Sequence, residues 1–326
     1  MARKEKTHHK SRKNRTLLFL LVCSLLLLST GKADGKKLQV KKTPSPKTLR
    51  AMARVYMAYG EYEKAQPLAE QALMSAKNKN DSDAELCSCL IDLAYLYNEL
   101  GRLEDAEKMC ILGLRLQEKV YYEKHPYIAY TLTNLSSIYQ AQGRYQKAEA
   151  ALDRAVTIML DCHSDNDKAM IPFKVAFAQL LTAEGDFEKA DAYYQSAMAL
   201  INKSYGPKHL YTATVLADIA KLYTLQQRYN EAENLINRSV ATQEKYYGPK
   251  HHLIASSWLT KAEVCRAKKN YAESDVLIEK ALSAVKKKGN AVIFAKIKHR
   301  ADKIRSVEPA AYTPVAKAVN KKIAGD

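Results

Sequence analysis

Gly143-Arg144-Tyr145-Gln146-Lys147-Ala148 reads as a turn glycine, an aromatic two positions on, and an alanine three positions after that. The cassette recurs as Gly60-Glu61-Tyr62-Glu63-Lys64-Ala65, as Gly101-Arg102-Leu103-Glu104-Asp105-Ala106 and as Gly185-Asp186-Phe187-Glu188-Lys189-Ala190. Two degenerate copies follow. Gln227-Arg228-Tyr229-Asn230-Glu231-Ala232 has lost the glycine, and Lys269-Asn270-Tyr271-Ala272-Glu273-Ser274 has lost both glycine and alanine. The first interval is 41 residues and the next four are 42 each. A fixed period of this length marks a solenoid, in which each unit buries its apolar face against its neighbours.

Two helical patterns flank the cassette. After it, small or apolar residues fall at the alanine and 3, 4, 7 and 8 positions on, as in Ala148, Ala151, Leu152, Ala155 and Val156. Before it they fall 11, 8, 7 and 4 positions ahead of the glycine (−11, −8, −7, −4), as in Leu90, Leu93, Ala94 and Tyr97. Each is the stripe of an amphipathic helix. Every unit is therefore a helix A, a tight turn and a helix B. The alanines let the two helices approach closely, and the aromatic fills the gap beside the turn.

These residues resemble the tetratricopeptide repeat (TPR). The period of 42 is similar to that of the kinesin-light-chain type. So are the links Tyr205-Gly206-Pro207-Lys208-His209 and Tyr247-Gly248-Pro249-Lys250-His251, the looser Tyr122-Glu123-Lys124-His125-Pro126, and Leu132-Thr133-Asn134-Leu135 in helix A of repeat three. The resemblance covers residues 47–289. It implies an all-α, right-handed superhelix of about six helix-turn-helix repeats, closed by a C-terminal capping helix. It also implies that the A helices line the concave face.

Residues at −9 and −6 turn away from the A-helix core stripe and should face that groove. At −9 repeats two to six carry Asp92, Asn134, Ala176, Asp218 and Thr260; at −6 they carry Tyr95, Ser137, Gln179, Lys221 and Glu263. Asn134 resembles the family asparagine that bonds the backbone of a bound extended peptide. A carboxamide suits that task because it both donates and accepts. Asp92 and Asp218 can only accept, and Ala176 and Thr260 depart from the pattern. The expected groove set is Asp92, Tyr95, Asn134, Ser137, Gln179, Asp218, Lys221, Thr260 and Glu263.

Outside the array the chain changes character. Residues 1–16 are basic, Leu17 to Leu28 is apolar apart from Ser24, and Gly31-Lys32-Ala33 follows. This has the form of an export signal over 1–33, cleaved before Asp34. The alternative is an uncleaved anchor, but twelve apolar helical residues span only about 18 Å. Either way the repeats are expected outside the cytoplasm, periplasmic or secreted. Residues 34–46 read as a basic linker, with the first helix starting near Lys47 after Thr43-Pro44-Ser45-Pro46. Pro172 should fall in the first turn of a helix A. Residues 290–306 read as the cap, its basic polar face toward water, and 307–326 as a flexible basic tail.

The formal charge is +17, but residues 51–285 sum to −3; the excess sits at +7 in 1–33, +5 in 34–50 and +8 in 286–326. A nucleic-acid-binding solenoid should carry its basic residues on the repeats, so this reading is set aside. The flanks remain suited to anionic membrane or polymer, which gives the rival reading of an envelope-associated structural protein.

No phosphate loop, nucleophile elbow, zinc-protease motif or dinucleotide fingerprint occurs. His125, His209 and His251 recur with the unit, too far apart to share an ion, and read as residues that start helix A. Cys110 and Cys265 read as small core residues, and a Cys87 or Cys89 pairing with Cys110 is left open. The sequence thus points to a non-catalytic, exported scaffold or adaptor without cofactor or metal. Its groove is expected to hold an extended segment of a partner protein.

Overall fold

The computed structural model describes residues 44–78, 82–286 and 291–306. The expected signal, nearly all of the linker and the C-terminal tail lie outside these residues. Six helical pairs follow in order: α1 Pro46–Ala58 with α2 Tyr62–Asn78, α3 Asp83–Glu99 with α4 Leu103–Val120, α5 Pro126–Ala141 with α6 Tyr145–Cys162, α7 Ile171–Glu184 with α8 Phe187–Ser204, α9 Leu210–Leu225 with α10 Tyr229–Tyr247, and α11 Ala255–Ala267 with α12 Tyr271–Lys286. A last helix, α13, spans Ala291–Ser306. The all-α repeat superhelix read from the sequence is the fold observed.

The cassette works as a helix stop followed by a close approach. In all six copies the N–H one past the turn residue returns to the carbonyl at −4, as in Arg102 to Tyr97 (2.8 Å), Arg228 to Tyr223 (2.8 Å) and Asn270 to Cys265 (2.8 Å). This is the long bond of a Schellman motif, which satisfies a carbonyl left over at the helix end. It requires a left-handed residue at the turn. Gly101 and Gly143 sit at φ 76 and 73, and the two copies without glycine force Gln227 and Lys269 to φ 63 and 64. Where the next residue is arginine, its guanidinium lies over the −4 tyrosine: Arg102 on Tyr97, Arg144 on Tyr139, Arg228 on Tyr223.

The cassette alanines Ala65, Ala106, Ala148, Ala190 and Ala232 are fully buried, as is their substitute Ser274. They meet helix A at its small −7 residues, also fully buried, from Ala53 to Ala262. Ser274 is tolerated because its hydroxyl donates to the Ala262 carbonyl (3.0 Å). The six cassettes are thus one packing solution repeated, with local repairs.

Links and boundaries follow from capping. His125, His209 and His251 are N-caps whose Nδ1 accepts from the N–H of Tyr127, Tyr211 and Leu253. Each is stacked on the tyrosine four residues before it. Pro172 stands in the first turn of α7, as expected. Pro46 corrects the expected boundary: Ser45 caps α1 and Pro46 is its first residue, where a missing N–H costs nothing. Cys87, Cys110, Cys162 and Cys265 are free thiols, and Cys110 and Cys265 are buried in the core.

Curvature follows from unequal spacing. Each A helix packs its backbone near the next A helix, while successive B helices come no closer than long side chains can reach. Arg154 to Glu118 (2.7 Å) and Lys280 to Glu244 (2.7 Å) are such bridges. The A side is therefore the inner side.

The curvature brings the two ends of the array together. His252, at the start of repeat six, is buried and donates from Nε2 to the Tyr59 carbonyl in the first turn. The Ala291 N–H reaches Glu63 Oε1 at 3.1 Å, and Lys296 Nζ lies 3.8 Å from Glu99 Oε2. A Cβ on Gly60 would stand 3.1 Å from Ile293 Cδ1. Helix α13 thus packs on repeat six and also abuts repeats one and two.

Candidate functional site

The inner face is built by a lateral rule. The −6 side chain of one repeat points at the −9 side chain of the next. Arg54 Nη2 reaches Asp92 Oδ1 at 2.8 Å, and Gln179 Nε2 reaches Asp218 Oδ2 at 3.0 Å. Two such bonds close the ladder between repeats one and two and between repeats four and five.

Elsewhere the ladder is open, and two of those openings are cavities. Tyr95 and Asn134 belong to repeats two and three. With Arg54, Met57, Ile91 and Asp92 they line a cavity of about 380 Å³. Tyr95 is exposed and Asn134 half-buried, and the Asn134 carboxamide has no hydrogen-bond partner among the described residues. Ser137 faces Ala176, which cannot bond, and its hydroxyl is 3.4 Å from Asn98 Nδ2. Lys221 and Thr260 line a second cavity, of about 330 Å³, with Asp218, Gln243, Ser256 and Arg300. A third, of about 360 Å³, adjoins it through Lys221 and Arg300 and is walled by Leu225, Tyr229, Lys303 and Ile304.

Three of the nine expected groove residues are not free for a ligand. Asp92 is 7% exposed, held by Arg54 and by Arg50 Nε at 2.9 Å, so it fastens repeat one to repeat two. Thr260 and Glu263 are taken by the cap. Arg300 of α13 places Nε and Nη2 on the two Glu263 oxygens (2.9 and 2.8 Å) and Nη2 on Thr260 Oγ1 (2.9 Å). The expectation that the cap's polar face meets water is corrected at this residue. Gln179 and Asp218 are bonded to each other in the second closed rung, and the structure leaves Tyr95, Asn134, Ser137 and Lys221 along the open part of the face.

Charge varies along that face. Burial pushes the Asp218 carboxyl above the usual range; the Gln179 bond, then Lys221 and Arg300, offset part of this. Lys221 forms no ion pair among the described residues. Three lining residues, Arg54, Gln243 and Arg300, and the buried Arg50 that holds Asp92, escaped the sequence reading. Arg54 occupies −6 in repeat one, the copy left out of that comparison. Gln243 lies sixteen positions after the turn, where repeats one, three, four and six have Ala76, Met159, Ile201 and Val285. A polar residue at an apolar register position was a signal available in the sequence. Arg50 and Arg300 carried no such signal, because they lie outside the −9 and −6 positions.

Comparison with known proteins places this arrangement. The sequence matches the tetratricopeptide repeat family over residues 48–84, 85–161, 174–245 and 219–287. No curated protein matches it. Among solved structures, NprR in complex with its cognate peptide NprX is 13% identical, covers 96% of this chain and 84% of its own, and superposes with a TM-score of 0.61. A Rap protein complexed with Competence and Sporulation Factor is 11% identical, covers 82% of this chain and 76% of its own, with a TM-score of 0.59. Kinesin-light-chain-like repeats are also found: those of a putative kinesin light chain from P. anserina are 21% identical, cover 63% of this chain and 98% of their own, with a TM-score of 0.48. At these identities the likeness is one of fold.

Proposed function

The chain belongs to the tetratricopeptide repeat family, and on that premise we propose that it is a non-catalytic scaffold binding an extended segment of a partner protein along its A-helix face. The observation that carries the reading is the interrupted ladder. The inner face is self-satisfied at Arg54–Asp92, Gln179–Asp218 and Glu263–Arg300, yet Asn134 presents a carboxamide unpaired among the described residues beside exposed Tyr95. A carboxamide can exchange both of its bond types with a peptide backbone, and a tyrosine supplies apolar area with a polar tip. The NprR structure holds a peptide in a fold of this kind, which supports the reading.

The test is affinity capture on the immobilised full chain, with the double variant Tyr95→Ala/Asn134→Ala beside it. A single dominant partner should bind the wild type and bind the variant at least about tenfold more weakly. The melting temperature should stay within a few degrees, because neither residue lies in the core. Undiminished partner binding by the variant would sink the groove reading.

Export is the second part of the proposal, supported by the basic, apolar and small-residue run over 1–33. N-terminal sequencing of the protein from its own cells should begin at Asp34. A chain beginning at Met1 or Ala2 in the cytosolic fraction would remove this part and leave the groove untouched.

A further inference from the structure

Gln243 is 5% exposed, and its Oε1 has no hydrogen-bond partner among the described residues. The surrounding bonds fix which end of the amide is unpaired. Ser239 Oγ donates its only hydrogen to the Ala213 carbonyl (2.6 Å), so toward Gln243 it can only accept, and it accepts from Nε2 at 3.2 Å. The orphan atom is therefore the carbonyl oxygen, a buried acceptor that awaits a donor. Gln243 lines the cavity between repeats five and six.

The other walls narrow what that donor belongs to. Asp218 offers a second acceptor, using one oxygen on Gln179. Lys221, which forms no ion pair among the described residues, offers a donor, and Ser256 and Ser257 add hydroxyls. Arg300 is spent on Glu263, Thr260 and Ser256. Asp218 and Lys221 cancel in charge, as do Arg300 and Glu263. A ligand group with net charge would stand uncompensated in a partly desolvated space, which is costly. A backbone amide has one N–H for two acceptors. A primary carboxamide has two N–H groups and one carbonyl, which match two acceptors and one donor.

We propose that the cavity lined by Gln243, Asp218 and Lys221 is a subsite for a primary carboxamide, the side chain of an asparagine or glutamine in the bound segment. The proposal rests on the groove reading for the segment, while the subsite chemistry stands on its own. In the subsite the amide hydrogens go to Gln243 Oε1 and Asp218, and the amide oxygen takes the Lys221 ammonium. Tyr247, Leu210 and Leu253 supply apolar walls for the methylenes.

The test uses the full chain and three small probes: N-acetyl glutamine, glutamate and methionine methylamides. All three share their backbone amides and are followed by saturation-transfer NMR at millimolar concentration. The glutamine probe should bind about tenfold more tightly than either of the others. Gln243→Met, which removes the acceptor at similar volume, should abolish that preference. Its melting temperature should hold or rise, because a buried unpaired acceptor is gone. Gln117→Met is the control: Gln117 occupies the same register in repeat two, also has an unpaired Oε1, and lines none of the three cavities described. It should leave the preference intact. Equal binding of the three probes, no binding of the glutamine probe, or a preference that survives Gln243→Met would each overturn the subsite. None of these results bears on partner capture by the Tyr95/Asn134 variant, so the two readings fail separately.

Discussion

At the residue scale, the array shows what a repeat costs when one copy drifts. The turn position needs a left-handed backbone, and Gln227 and Lys269 adopt it with φ 63 and 64. A residue with a Cβ is strained there, while glycine is not. Gln227→Gly and Lys269→Gly should therefore each raise stability, by about 1 kcal/mol after glycine's extra chain entropy is counted. Urea midpoints at constant slope would show it; a loss in both variants would mean the side chains contribute more than the strain. These positions were legible in the sequence, because the Schellman bonds depend only on residues within one turn of each other. The free or committed state of Asp92 was not. Its neighbours are Arg50 and Arg54, about one full repeat earlier in the chain, and no spacing within helix α3 reveals them.

At the element scale, α13 does more than cover an apolar end. Ile297, Ala301 and Ile304 are buried, as a cap requires. Arg300, on the same helix, turns inward and occupies the −9 and −6 positions of repeat six through Thr260 and Glu263. Glu263 and Arg300 are each less than a third exposed, so the pair is partly shielded from water. Arg300→Ala should destabilise by about 2 kcal/mol, since it strands a carboxylate and removes charge-assisted bonds. Arg300→Lys should recover little of this, because an ammonium cannot make the two parallel bonds. Full recovery by lysine would show that only the charge matters. The amphipathic period announced that α13 is a helix. It did not say which basic residue would face the groove, since the polar face as a whole is lysine- and arginine-rich.

At the scale of the whole molecule, the superhelix meets itself. Tyr59 and His252 are 193 residues apart, and Glu63 and Ala291 are 228 apart, yet both pairs are hydrogen-bonded. With the ends in contact, the array closes on itself along a seam between repeat one, repeat six and α13. The double variant Glu63→Ala/His252→Ala should open it. The radius of gyration by small-angle scattering should rise, while helix content by circular dichroism stays unchanged. An identical scattering curve would show that curvature alone holds the ends together. Hydrogen exchange in α1 and α13 should accelerate in the same variant, because terminal units rely on neighbours on one side only.

By itself the sequence determined the repeat, the helix–turn–helix unit, the capping histidines and the small residues at each crossing. All of these rest on bonds and contacts within one unit, and a unit written six times shows its rules. Only the tertiary structure decided which inner-face groups stay free and that the ends meet. Both depend on the small rotation between neighbouring units, which accumulates along the array and places groups a full repeat or more apart within bonding distance. Asp92, Thr260 and Glu263 fitted the groove positions in sequence and were taken by neighbours in space. Gln243 sat at a core position and was left with an unanswered carbonyl.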